Sequence, residues 1–92
     1  MRSVTAVDDR EASLTMRLRI ASNIRLAREQ AGMSQTDLLS AMEHRNPNTI
    51  GHRTLLSNWE NARYSPSFVW LSRIGAATGR TAGWFLDEHE DD

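Results

Sequence analysis

The chain contains no cysteine, so neither disulfides nor thiolate metal ligands hold it together. It also contains no lysine; every one of its eleven basic side chains is an arginine. No run approaches the roughly 18 apolar residues that a membrane span requires. The opening MRSVTAVDDR has no apolar core of the kind a secretory leader carries. A cytoplasmic protein without a membrane partner is therefore expected. Strand-like alternation of apolar and polar residues is missing throughout.

What remains is one modest domain. Ninety-two residues, 39% hydrophobic and 25% charged, suffice for a single core and not for two. The net charge of −1 at first argues against a polyanionic partner, but the charges are unevenly placed. Asp8, Asp9 and Glu11 lie near one end, and Asp87, Glu88, Glu90, Asp91 and Asp92 at the other. Between residues 12 and 86, nine arginines face four acids, a net of +5. A GC-rich genome favours arginine codons, yet that does not move acids to the ends. Arginine's planar fork of donors suits phosphate oxygens and guanine edges.

Residues 1–9 are expected to be a flexible arm, 10–87 the folded domain and 88–92 an acidic tail. Asp8 or Asp9 is placed to cap a long first helix in which Met16, Ile20, Ile24, Ala27 and Ala31 recur at helical spacing. Leu14, Leu18 and Ala21 form a neighbouring stripe. Gly32 should end that helix, and Ser34, with Asp37 three residues on, should cap the second. RNPNTIG reads as a loop. HRTLLSNWENA reads as a short helix anchored by Leu56 and Trp59. Ser65 is expected to cap the next helix with Pro66 in its first turn. Phe68, Leu71, Ile74 and Ala77 should form that helix's buried face, ended by Gly79. Thr81 can cap a last short helix carrying Trp84, Phe85 and Leu86. The sum is an all-α domain of five helices.

IRLAREQAGMSQTDL, followed by LLSNWENARYSPSFVWLSRIGAATGRTAGWFL, resembles the Cro/repressor-type helix-turn-helix family, also called the xenobiotic-response-element family. The matching pieces run from about residue 20 to residue 86. They include Ile24, Ala27 and Arg28 before Gly32, then Met33-Ser34-Gln35 and Leu38. Leu56, Trp59-Glu60-Asn61, Pro66, Leu71 and the ending from Gly79 to Leu86 complete them. The resemblance implies a compact, lambda-repressor-like domain whose third helix, about residues 52–60, lies in the DNA major groove. Gln35 matches the family's phosphate-contacting glutamine. Arg53, Thr54 and Asn58 fall on base-reading positions, and Leu55 is placed to touch a thymine methyl group. Arg28 and Glu60 match a pair that ties the third helix to the first.

Two departures accompany the match. Gln35 and Glu60 are 25 residues apart, about seven more than such helix-turn-helix domains show. Leu39 stands where the family prefers a small alanine. These departures imply a lengthened helix 2 and an elongated connection between helices 2 and 3, somewhat like the POU-specific variant of this fold, in a domain whose first helix is extended.

Other polar residues have two readings. Asn61 and Arg63, just after the third helix, suit phosphate or an ordinary turn. Arg45, with His44 and Asn48, suits the DNA backbone or solvent. His44, His52 and His89 lack metal-ligand spacing. Trp59, Trp70 and Trp84 suit the core or an interface, Trp70 at its edge. No nucleophile–base pair, glycine-rich phosphate loop or paired carboxylates occur. Neither an enzyme, a cofactor nor a small-molecule substrate is expected. A transcription regulator of phage-repressor or Cro-like type is the leading expectation, with double-stranded DNA as partner. One copy reads about five base pairs, so a homodimer is expected on DNA, paired through Trp84–Leu86. The alternative is an antitoxin-like or adaptor module that keeps the fold but binds protein.

Overall fold

The computed structural model describes residues 5–45 and 53–89, with side chains from residue 13 onward. The described residues contain four α-helices and one 3-10 helix, and no strand. In chain order these are α1 (Thr5–Gln30), α2 (Gln35–Arg45), α3 (Arg53–Glu60), α4 (Phe68–Thr78) and the 3-10 helix Ala82–Leu86. The expected fifth helix is thus a 3-10 segment. The connection expected to be long, 46–52, lies outside the described residues, as do His52, Asn48 and residues 1–4.

The helix boundaries follow local chemistry. Gly32 sits at φ 71°, where a Cβ is disfavoured. Its N–H donates to Glu29 O and that of Met33 to Arg28 O, both at 3.0 Å, which satisfies the last carbonyls of α1. Ser34 and Asp37 then cap α2 reciprocally: Asp37 N donates to Ser34 Oγ and Ser34 N to Asp37 Oδ2, each at 3.0 Å. The bond from Ser34 N foremost, and the Ser34 hydroxyl after it, hold the Asp37 carboxyl below its ordinary value.

Three local expectations are corrected. α1 begins at Thr5, so Asp8 and Asp9 lie within the helix and do not cap it, and the helix takes in part of the expected arm. Ser67, not Ser65, caps α4, accepting a hydrogen bond from Trp70 N at 3.3 Å. Pro66 is buried just ahead of the helix. This two-residue shift turns Phe68 out to solvent, 65% exposed, instead of into the core.

Ile20, Ile24 and Ala27 of α1 meet Leu38, Leu39 and Met42 of α2, Leu56 and Trp59 of α3, Leu71 and Ile74 of α4, and Phe85. Full burial of each large side chain contributes about 1.5–3 kcal/mol. Leu39 is accommodated in this core. Trp70, half-buried, tilts against Trp59 with ring centroids 5.3 Å apart. Gly75 is needed where α4 ends, because a Cβ there would collide with the Arg80 carbonyl oxygen.

The C-terminal segment is packed further than expected. Asn23, 3% exposed on α1, donates to Phe85 O at 2.9 Å and to Asp87 O at 2.7 Å. Arg19 pairs with Glu88 at 3.0 Å, and His89 stacks on Trp84 at 3.9 Å between ring centroids. The start of the acidic tail, 88–89, is therefore anchored on α1 and the 3-10 helix.

Candidate nucleic-acid interface

The amphipathic pattern of α3 determines what it offers. Leu56, Trp59 and Glu60 are buried, so Thr54, Ser57, Asn58 and the following Asn61 share the opposite side. Arg53 and Thr54 are exposed, and their side chains make no hydrogen bond or ion pair with any described residue. Arg53 is a cation at the first residue of a helix, against the macrodipole. An anion beside it would relieve that misfit.

The buried end of α3 is fixed by one carboxylate. Glu60, 4% exposed, accepts from Arg28 Nε at 2.7 Å on Oε2 and from Arg28 Nη2 at 3.0 Å on Oε1. Arg28 Nη1 also donates to Met33 O at 2.9 Å, so one guanidinium joins α1, the α1–α2 turn and α3. The hydrogen bond to Glu60 raises the Arg28 pKa above its ordinary value, against the opposing effect of burial. Gln35 Nε2 adds a bond to Glu60 Oε1 at 3.2 Å. Arg25 Nη2 donates to the Glu60 carbonyl at 2.8 Å, with Nε 3.8 Å from Oε1. A buried carboxylate is costly unless so satisfied.

The Arg28–Glu60 pair forms at the positions read from the sequence. Gln35 is half-buried and turned to Glu60, which fixes its amide at the start of α2. Asn58 and Arg63 meet each other, Arg63 Nη1 donating to Asn58 Oδ1 at 3.0 Å. Asn61 folds back onto α3, its Nδ2 donating to Ser57 O at 2.9 Å. Leu55 is half-buried and packs on the core, at the edge of the outward face. Arg45 is exposed at the end of α2.

The turn after α3 stores strain. Ala62 has φ 60°, the left-handed region that glycine prefers. Ala62 N donates to Trp59 O at 3.1 Å and Arg63 N to Asn58 O at 2.9 Å, closing a Schellman motif. That turn places Arg63 back beside Asn58.

Two contributors were missed in the sequence. Arg25 lies three residues before Arg28 and so on the same side of α1, a spacing that marks it as a second donor toward Glu60. Ser57 lies three residues after Thr54 and four before Asn61, within the outward stripe. The segment expected to pair two copies is engaged inside the chain. Phe85 is fully buried, and Trp84 lies edge-on to it with the Arg80 guanidinium 4.8 Å from its centroid.

Among the described residues no group of three or more histidines or acids could hold a metal ion, and no helix is long and apolar enough to cross a membrane. Comparison with protein-family models, curated proteins and solved structures finds no match.

Proposed function

We propose that this protein is a sequence-specific double-stranded DNA-binding regulator of the Cro/repressor helix-turn-helix kind, with α3 in the major groove. The observation that carries the reading is the division of α3: Glu60 locked into α1 and α2, Thr54 and Asn58 turned outward, and Arg53 without a partner among the described residues. A reading helix needs such rigidity at its base and such polarity on its face.

In this reading Arg53 takes a guanine edge, Asn58 an adenine edge, and Thr54 a neighbouring base. Arg63, Asn61, Arg45 and Gln35 contact or orient toward phosphates, which position without specifying. Leu55 contributes at most its outer edge to a thymine methyl. Two copies on two half-sites supply the specificity that one short helix lacks.

A second reading is favoured by one observation. Tyr64, Phe68 and Val69, on the segment that follows α3, are 61%, 65% and 57% exposed, apolar surface that suits an adaptor or antitoxin-like module binding protein. Selection of bound sites from random duplexes, followed by affinity against salt, separates the two. A recovered site and a steep loss of affinity with salt support DNA; flat, weak binding supports the protein partner.

A further inference from the structure

The N-terminal half of α1 has a face that nothing described in the fold covers. Leu14 and Leu18, one helical turn apart, are 47% and 53% exposed. They lie to one side of the stripe by which Ile20, Ile24 and Ala27 enter the core. Ser22 and Arg25 continue the same exposed stripe at spacings of four and three. Helix formation in water is marginal without tertiary packing, and the described residues 13–15 are all exposed. A helix of 26 residues extended this far past its own core calls for a partner.

The sequence of α1 indicates which partner. Asp8, Asp9 and Glu11, with Arg10 among them, precede the two leucines; Arg17 lies between the leucines, and Arg19 and Arg25 follow them, with no acid between Glu11 and Glu29. A helix that is net acidic ahead of its leucines and basic beyond them is complementary to itself in the antiparallel sense. That is the condition for an isologous two-fold contact. Antiparallel packing also opposes the two macrodipoles favourably.

We infer that this face is the contact between two copies of the chain, with α1 packed antiparallel against α1 of a second copy. A two-fold axis beside Met16 sets Leu14 of each copy on the partner's Leu18. The acidic turns of each copy then run alongside residues 21–24 of the other, between the partner's Arg19 and the partner's Arg25. Glu29 falls beyond the overlap. Arg25 retains 48% side-chain exposure while holding α3, so it can serve both. The dimer invoked for DNA thereby gains a location, although the contact rests on α1 alone.

The chain has no cysteine, so single cysteines report the pairing. Leu14→Cys and Leu18→Cys chains, mixed in equal amounts in an oxidising glutathione buffer, should form the mixed disulfide several-fold faster than either forms its own. Ser40→Cys, exposed on α2, should not cross-link. Sedimentation equilibrium of the native chain without DNA should show self-association, and Leu18→Glu should abolish it, with helix lost at most from the N-terminal half of α1. A native chain that stays monomeric, or mixed disulfides no faster than homodimeric ones, overturns the inference. Since neither readout involves DNA, a dimer that ignores duplexes contradicts the proposed function only. A monomer that binds them contradicts this contact only.

Discussion

Arg63 donates to Asn58 Oδ1 at 3.0 Å, so the first side chain after the strained turn at Ala62 sets the amide at the centre of the outward face of α3. The bond uses one of the two lone pairs of that oxygen and leaves the Asn58 NH2 without a hydrogen bond to any described residue. The two residues should therefore act as a unit on DNA. Arg63→Ala and Asn58→Ala, measured singly and together on the preferred site, should be non-additive by about 0.5–3 kcal/mol. Additive losses would show that the amide is held by other means.

The clamp on Glu60 should be the most sensitive point of the scaffold. Glu60→Gln leaves Arg28, with its side chain 14% exposed, without a counter-charge. The loss of stability should be on the order of 3 kcal/mol, read by thermal or urea denaturation. Melting at the native temperature would exclude a structural role for the pair.

Ala62 works in the opposite direction. Because φ of 60° disfavours a Cβ, Ala62→Gly should stabilise the fold by about 1 kcal/mol, less the entropy a glycine adds to the unfolded chain. Denaturation midpoints of the two chains decide the sign. A fall would mean that the alanine methyl packs more favourably than the turn is strained.

Asp37 predicts a local acid response. Its folded pKa is lowered from 3.8, by the bond from Ser34 N first and the Ser34 hydroxyl second. The stabilisation is therefore present above the unfolded value and is lost as pH falls through the lower folded value. Carbon-detected titration of Asp37 should show that depression, and Ser34→Ala should return it part of the way. An Asp37 midpoint unmoved by Ser34→Ala would exclude the hydroxyl as a contributor.

Elements with strong local signals were legible in the sequence: the glycines at 32 and 79, the reciprocal cap of Ser34 and Asp37, and the Leu56–Trp59 anchor all stand where their chemistry put them. The start of α4 was not, because Ser65 and Ser67 flank Pro66 and either can cap; tertiary burial of the proline selected Ser67 and displaced Phe68. The Arg28–Glu60 pair was legible only through the resemblance. Asn23 was not legible, since its partners are main-chain carbonyls at sequence separations of 62 and 64. A backbone carbonyl leaves no residue-specific signature in a sequence. The Arg63–Asn58 contact was hidden for a related reason: it depends on a left-handed alanine that composition does not reveal.

The central claim is that α3 reads bases and the residues around it hold the backbone. Binding of native, Asn58→Ala and Gln35→Ala chains to a panel of single-base operator changes, with the salt slope recorded for each, tests it most directly. Asn58→Ala should lose about 1–3 kcal/mol on the preferred site and relax the preference at one base position. Gln35→Ala should weaken binding to every sequence alike, because it acts on phosphate and on the seat of Glu60. An Asn58→Ala chain with unchanged affinity and an unchanged preference profile would contradict the account.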